Sequence, residues 1–156
     1  MPTEAPPVNA YLRTKVLTAS PQELRMLLLD GALKFARQGR EGLAADNPEQ
    51  SFLGFSQCRN ILVELINSMR PDVNPELCGR VGSLYTYLYT RLLTANLERD
   101  TAAADEVIEL LEYECQTWRM LCAQIETERS AAAGPHGPAA APGAAPTGPE
   151  TLSLEG

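Results

Sequence analysis

Residues 74–95 read NPELCGRVGSLYTYLYTRLLTA, and their apolar side chains recur at intervals of three and four. The recurring positions are Leu77, Val81, Leu84, Leu88, Leu92 and Ala95. This spacing places them on one face of an α-helix. Asn74 and Pro75 mark the start, because asparagine caps a helix and proline costs nothing at the first helical position, where no N–H is needed. The stretch predicts an amphipathic helix that must bury its apolar face.

Similar start signals lie elsewhere in the chain. Ser20-Pro21-Gln22-Glu23 and Asn47-Pro48-Glu49-Gln50 also place Glu or Gln at the third helical position, which completes a capping-box pattern. Another start is indicated at Asp100-Thr101, where Asp105 and Glu106 lie in the first turns and favour the helix dipole. Apolar residues follow each signal at helical spacing, so four helices are predicted.

These helices predict an all-α protein, an antiparallel four-helix bundle over residues 20–130, because helices of about 18 to 26 residues joined by short loops pack in this way. Residues 1–19 carry apolar side chains that need cover, and we expect an N-terminal strap or short helix across the bundle. Residues 131–156 are rich in Ala, Pro and Gly and predict a disordered tail. The loops are expected around residues 39–47, 70–74 and 98–101.

The helices carry more apolar side chains than one stripe needs. The first helix carries Leu24, Leu27, Leu28 and Phe35 on one face, with Met26, Leu29 and Leu33 beside it. Side chains outside the narrow seam are Met26, Leu29, Leu110 and Leu121, and the third helix adds Tyr85, Tyr87 and Tyr89. Tyrosine suits interfaces because its ring supplies area while its hydroxyl stays wet. These additional side chains could line grooves that bind a partner's amphipathic helix. Alternatively, the three tyrosine rings wrap a broad edge of the core.

Charge and hydropathy exclude two classes of partner. The net charge of -7 and the lack of a basic patch argue against nucleic-acid binding. No apolar run reaches the roughly 18 residues that span a bilayer, so membrane insertion is not expected. The start, Met-Pro-Thr-Glu-Ala-Pro-Pro, does not have the pattern of a signal peptide. We therefore expect a cytoplasmic protein.

The chain offers little for catalysis, metal binding or cofactor binding. His136, the single histidine, lies in the predicted tail, and no glycine-rich phosphate loop is present. Glu112 and Glu114 point to different sides of a helix and are expected to be solvated. We predict no enzyme, no cofactor and no metal. Reduced thiols packed among the helices are predicted at Cys58, Cys78, Cys115 and Cys122, which have no C-x-x-C spacing.

Four segments keep a common order over residues 10–125 and together are more specific than any one alone. They are Thr18-Ala19-Ser20-Pro21-Gln22-Glu23-Leu24 continuing to Leu28-Leu29-Asp30-Gly31-Ala32-Leu33; Arg59-Asn60-Ile61-Leu62 with Glu64-Leu65; Leu84-Tyr85-Thr86-Tyr87-Leu88 with Arg91-Leu92-Leu93-Thr94-Ala95-Asn96 and Asp100; and Glu106-Val107 with Leu110-Leu111 and Trp118. In this pattern the chain resembles the FliS family of flagellar chaperones.

The resemblance implies a cytoplasmic export chaperone. Such a protein binds the disordered C-terminal segment of flagellin, prevents premature polymerisation and assists delivery to the flagellar type III export apparatus. Other flagellar export or assembly proteins are further candidate partners. A disordered client that folds on binding loses several kcal/mol to ordering, so a large interface remains reversible.

The resemblance also implies a client-binding surface. The residues expected there are Tyr11, Ile61, Leu65, Tyr85, Leu88, Tyr89, Leu92 and Asn96. Tyr11 matches the tyrosine of the family's strap, which covers part of the groove; Tyr85 and Trp118 have a second reading as plain core. The alternative function is a homo-oligomeric bundle that acts as a structural or regulatory module. A helical enzyme would need polar residues converging inside the bundle, and the apolar stripes contain none.

Overall fold

The polypeptide is helical through most of the part described by a computed structural model, residues 7–133, with side chains described from residue 10 onward. The helices of this part are α1 (Pro7–Thr18), α2 (Pro21–Ala44), α3 (Pro48–Asn67), α4 (Pro75–Leu97) and α5 (Thr101–Ala133). The all-α class and the four predicted bundle helices are confirmed, and a short helix, α1, precedes them. Of the predicted tail, residues 134–156, with His136, lie outside the described part.

Each bundle helix begins at the predicted capping residue. The Ser20 hydroxyl accepts from the Glu23 amide at 3.2 Å, and the Glu23 carboxylate accepts from the Ser20 amide at 2.9 Å, which forms a complete capping box. Asn47 caps α3 by accepting from the Gln50 amide at 3.2 Å. The second predicted capping box is wrong, because the Asn47 amide donates to the Gly42 carbonyl at 2.8 Å and the Gln50 side chain donates to the Gln38 carbonyl at 3.1 Å. The remaining caps are Asn74 for α4 and Asp100 for α5.

Removing the first cap tests its contribution to stability. Ser20→Ala is expected to lower the free energy of unfolding by about 1 kcal/mol, because the first turn of α2 loses an acceptor for its orphan amides. Ser20→Asp, which keeps the acceptor, is the control and should leave stability nearly unchanged. Urea denaturation followed by circular dichroism measures both; equal losses in the two variants would contradict the assigned role of the cap.

Neighbouring bundle helices run antiparallel. Asp30 in the first half of α2 pairs with Arg119 of α5 at an N–O distance of 2.6 Å, and Arg40 near the end of α2 pairs with Asp105 near the start of α5 at 2.7 Å. The two helices therefore run in opposite directions. The pair α2 and α3 shows the same reversal, since Gly31 lies next to Ile61 and Gly42 next to Ser51. The pair α3 and α4 shows it too, since Arg59 lies next to Tyr89, and Met69, just after α3, lies next to Gly82. Helix α4 meets α5 through Arg91 and Glu106 at 2.8 Å. The predicted antiparallel order is therefore confirmed.

The seam between α2 and α3 is unusually close because glycines face backbone across it. A Cβ added at Gly54 would lie 2.7 Å from both the Gly39 Cα and the Phe35 carbonyl oxygen, and one at Gly42 would lie 2.9 Å from backbone of α3. The loop predicted around residues 39–47 is wrong, because α2 continues to Ala44. Gly39 and Gly42 permit close helix packing, whereas the chain reverses only afterwards.

The core centres on the side of α2 next to the face predicted, and Leu28 and Phe35 of the predicted face pack against it while only partly buried. Leu29, expected outside the seam, is fully buried, whereas Leu24, expected in the core, is 38% exposed. The buried face is the one that continues into the glycines, since only that side lets α3 approach. Its members in α2 are Leu29, Ala32, Leu33, Ala36, Gly39, Gly42 and Leu43. The other helices contribute buried Phe55, Cys58, Leu62, Leu65, Tyr85, Leu88, Leu92, Ala95, Ala103, Ala104, Val107, Leu111 and Cys115.

Helix α5 is longer than expected, with 33 residues. It contains the boundary between two units, which falls between Arg119 and Met120, so that the described residues divide into 7–119 and 120–133. The bundle core lies in the first unit. In the second unit, the described residues 120–133 are helical and include exposed Met120 and Leu121.

Candidate partner-binding surface

Four of the eight predicted client-binding residues lie in the core. These are Leu65, Tyr85, Leu88 and Leu92, each with an exposed fraction of 0%. As the bundle is folded here, their side chains contact neighbouring helices and offer no area to a partner. Tyr85, Leu88 and Leu92 point inward because the core stripe of α4 passes through residues 85, 88, 92 and 95, and Leu65 belongs to the buried face of α3. For Tyr85 the structure therefore supports the core reading.

The other four predicted residues do not share one groove. Tyr11 is 66% exposed on α1, and Ile61, Tyr89 and Asn96 are half-buried. Ile61 lies opposite Gly31, on the side of α3 that faces α2. Tyr89 lies beside α3 instead, with the Arg59 guanidinium carbon 5.8 Å from the centre of its ring. Ile61 and Tyr89 therefore belong to different flanks of α3.

A polar network crosses the bundle next to buried Tyr85. The Tyr85 hydroxyl donates to Glu114 at 3.0 Å, and burial, followed by the Glu114 charge, raises the pKa of Tyr85 well above its usual range. Glu114 was expected to be simply solvated, and this is wrong, because its carboxylate accepts that hydrogen bond. Glu112, expected likewise, pairs with Arg37 of α2. The network keeps tyrosine protonated and ties α4 to α5.

Arg25 extends this layer to the remaining helices. Its guanidinium donates to the Ser68 hydroxyl at 3.3 Å and lies over the Trp118 ring, 4.9 Å from its centre. A cation over an indole face is attracted by the ring quadrupole. Trp118 itself is half-buried and packs against the core. Arg25 therefore links α2, the end of α3 and α5 around a tryptophan that is partly exposed to solvent.

A broad groove open to solvent runs along α4 and is termed here the α4 groove. It is lined by Ile66, Cys78, Gly79, Gly82, Ser83, Thr86, Tyr87 and Thr90 and has a volume of about 630 Å³. Its floor consists of small side chains one helical turn apart, and a Cβ added at Gly79 would meet nothing within 4 Å. A partner helix can therefore approach the α4 backbone closely, between Ile66 and Tyr87.

Tyr87 forms a fixed wall of the α4 groove. Its hydroxyl donates to Glu106 of α5 at 2.6 Å, and Glu106 also accepts from Arg91 at 2.8 Å. The hydrogen bond raises the pKa of Tyr87 and lowers the pKa of Glu106. The ring is nevertheless 45% exposed, so it offers area to a partner at little cost in side-chain entropy.

Sequence reasoning missed most of this groove. The available signal was the series Gly79, Ser83, Thr86 and Thr90, which repeats small residues at intervals of four, three and four. Such a series marks a helix face that can be approached closely. Large apolar side chains give a stronger signal in the sequence, but many of them are buried in the core.

The cysteines of the described residues are unpaired and lie among the helices. All four thiols are free, with Cys58 and Cys115 buried and Cys78 and Cys122 half-buried, as predicted for reduced cysteines. Burial raises the pKa of Cys58 to about 12 and that of Cys115 to about 11, so both stay protonated and unreactive. Within residues 7–133, no group of three or more His, Cys, Asp or Glu side chains could hold a metal ion. None of the described helices combines the length and the apolar character that crossing a membrane requires.

Comparisons with known sequences identify a family. The profile of the family described as "Flagellar protein FliS" matches residues 4–125. The flagellar secretion chaperone FliS of Bacillus subtilis (strain 168) is 35% identical over 101 residues, which cover 65% of this chain and 74% of that protein. The flagellar secretion chaperone FliSB of Pseudomonas aeruginosa is 32% identical over 101 residues, covering 64% and 79%. The Campylobacter jejuni FliS is 29% identical over 111 residues, covering 71% and 87%.

A solved structure shares the fold. It is described as a crystal structure of a flagellar chaperone from bacteria, and it matches with a TM-score of 0.58. The match covers 76% of this chain and 99% of the other, at 18% sequence identity. At that identity the likeness supports the arrangement of helices and says nothing about individual contact residues.

Proposed function

Because the chain belongs to the FliS family of flagellar proteins, we propose that it is a flagellar export chaperone whose client is the C-terminal segment of flagellin. Its relatives bear the name flagellar secretion chaperone. In this proposal the protein works by binding rather than by catalysis. It holds the client in the bacterial cytoplasm, prevents premature polymerisation and delivers it to the type III export apparatus.

The α4 groove is the observation that carries the choice of binding surface. An amphipathic helix docks in a groove by placing side chains at i, i+3, i+4 and i+7 against apolar walls. Small residues along the floor and the walls Ile66 and Tyr87 suit this mode. The flanks supply further apolar area, since Val63 on α3 is 41% exposed. We assign the first client helix to this groove.

Binding of this kind explains how a chaperone can release its client. A disordered segment that folds as it binds loses several kcal/mol of its gross interaction energy to ordering. A long interface therefore yields moderate affinity, and transfer to an export machine needs no nucleotide bound by the chaperone. Of the predicted residues, Ile61, Tyr89, Asn96 and Tyr11 remain candidates as additional contacts along the path of the client.

A charged side chain in the α4 groove tests the assignment. Thr86→Arg is expected to weaken binding of a flagellin C-terminal peptide by about tenfold or more, because a guanidinium would be desolvated where a partner helix packs. Thr86 is exposed, so the free energy of unfolding should change by no more than about 0.5 kcal/mol. Fluorescence anisotropy of the labelled peptide measures affinity, and chemical denaturation measures stability.

The control is Thr117→Arg, the same substitution at an exposed position of α5 outside the groove. It should leave peptide affinity unchanged. If Thr86→Arg binds the peptide as well as the parent protein does, the client lies elsewhere. If both variants lose affinity equally, the effect is one of net charge and the assignment of the groove fails.

A homo-oligomer is the second candidate, and helix α1 favours it. Every described side chain of α1, residues 10–18, is exposed, including the apolar Tyr11, Leu12, Val16 and Leu17. A second copy could cover this face. Light scattering after size-exclusion chromatography distinguishes the two: a 1:1 complex with the flagellin peptide supports the chaperone, whereas a dimer that is indifferent to peptide supports the oligomer.

A further inference from the structure

We propose that a second surface, at the end of the bundle where α3 turns into α4, binds a polypeptide segment that carries a carboxylate next to a large apolar side chain. This end cleft is formed chiefly by Arg25, Met69, Arg70, Leu77, Val81 and Trp118. It adjoins the α4 groove, since Cys78 lines both. The proposal stands on the chemistry of the cleft alone and does not depend on the identity of the client.

The size of the end cleft favours a side chain as its occupant. Its volume is about 250 Å³, below the roughly 300 to 1,000 Å³ of ordinary small-molecule pockets. Val73 and Leu77 form its rim and are 73% and 51% exposed, although both are apolar. Trp118 provides an aromatic wall. A single large apolar anchor would fill this space, as anchors of polypeptide partners do.

Charge decides what should flank that anchor. Two guanidinium groups, Arg25 and Arg70, line the cleft, and no carboxylate lies among its described lining residues. The Arg25 Nε is buried and makes no hydrogen bond of good geometry in the described part of the chain, although the guanidinium also interacts with the Tyr85 hydroxyl. An unmade hydrogen bond of this kind is costly, and a carboxylate is the strongest acceptor that could compensate it after a small rotation of the guanidinium.

The nearby acidic residues do not cancel this preference. Asp72 lies 3.8 Å from Arg70, a loose pair in which both side chains are about three-quarters exposed, and such pairs contribute little. Glu76 is already paired with Arg80 at 2.8 Å. The N-terminus of α4, capped by Asn74 at the edge of the cleft, adds partial positive charge. Although the whole chain has a net charge of -7, this surface is locally positive and therefore favours binding of an acidic segment.

Trp118 is the chain's single tryptophan, and it makes the proposal directly testable. The full-length protein is titrated with a short blocked peptide containing Glu-Leu-Phe-Glu, and with its Gln-Leu-Phe-Gln counterpart, while tryptophan emission is followed. The acidic peptide should shift the emission and bind about fivefold more tightly than the amide peptide, because charge-assisted hydrogen bonds are roughly twice as strong as neutral ones. Added salt should reduce the difference in affinity between the two peptides, because it screens the attraction between the carboxylates and the guanidinium groups.

Two variants locate the binding. Leu77→Ser in the cleft should weaken the acidic peptide about tenfold, whereas Leu97→Ser, at an exposed leucine of the opposite end of α4, should have no effect. Arg70→Gln should remove most of the preference for the acidic peptide. Equal binding of both peptides, or equal effects of Leu77→Ser and Leu97→Ser, overturns the proposal.

Other occupants would also be revealed. A concentration-dependent dimer that Leu77→Ser abolishes would assign the cleft to a second copy, and tighter binding of decanoate than of the acidic peptide would assign it to a small amphiphile; either result overturns the proposal. Failure of the flagellin assignment is measured separately, because Thr86→Arg lies in the α4 groove and not in the lining of the end cleft.

Discussion

Gly54→Ala is expected to lower the free energy of unfolding by about 3 kcal/mol or more, at the upper end of what overpacking costs. The added methyl group would lie 2.7 Å from the Gly39 Cα and from the Phe35 carbonyl oxygen. Both are backbone atoms of α2, so no side chain can rotate away. The two helices must separate, and the contacts of Phe55 and its neighbours in the core loosen with them.

A matched substitution separates this effect from helix propensity. Gly79→Ala in α4 places its methyl group in open space, and alanine is the better helix former by about 0.5 to 1 kcal/mol. That variant should therefore be slightly more stable than the parent. Thermal melts followed by circular dichroism should show Gly54→Ala melting roughly 10 °C lower. A Gly54→Ala protein as stable as the parent would mean that α2 and α3 are not packed as closely as described.

Leu88→Ala is expected to lower the free energy of unfolding by about 2 to 5 kcal/mol, the range for deleting a buried leucine side chain. Leu88 is fully buried on the stripe of α4 that faces the core. The variant should lose client binding only in proportion to the fraction that is unfolded. Urea denaturation, and peptide binding measured well below the melting temperature, are the two readouts.

Tyr11→Ala is the contrasting variant, because Tyr11 was predicted for the same surface but is 66% exposed. Its stability should stay within about 0.5 kcal/mol of the parent. Weaker peptide binding by Tyr11→Ala with unchanged stability would make Tyr11 a client contact. A stable Leu88→Ala protein that no longer binds peptide would instead restore Leu88 to the client surface and contradict its core role.

Local signals predicted the helices well. Each bundle helix starts directly after the polar residue that the sequence marks, at Ser20, Asn47, Asn74 and Asp100. A cap depends on residues within one turn, so no tertiary information is needed. The length of α2 was misjudged because Gly39 and Gly42 were read as loop formers. Glycine serves equally where backbones approach, and sequence alone does not distinguish these uses.

The candidate surface was harder to predict, because it depends on which apolar residues the neighbouring helices cover. Leu65, Leu88 and Leu92 carry the family pattern yet lie in the core. The α4 groove is marked by small residues, which carry no hydropathy signal. Likewise, the end cleft combines residues from three helices and from the loop between α3 and α4, with Arg25 and Trp118 more than 90 positions apart in the chain.

The amino-acid sequence by itself determined the helices, the residues that cap them and the family, because each rests on local spacing or on ordered motifs. Tertiary structure alone decided which face of each helix is buried and where the grooves open. Glycines bring α2 close to α3, and this contact selects the buried face of α2. The area left uncovered depends on all the helices at once, since burial is a property of packed pairs and not of single residues.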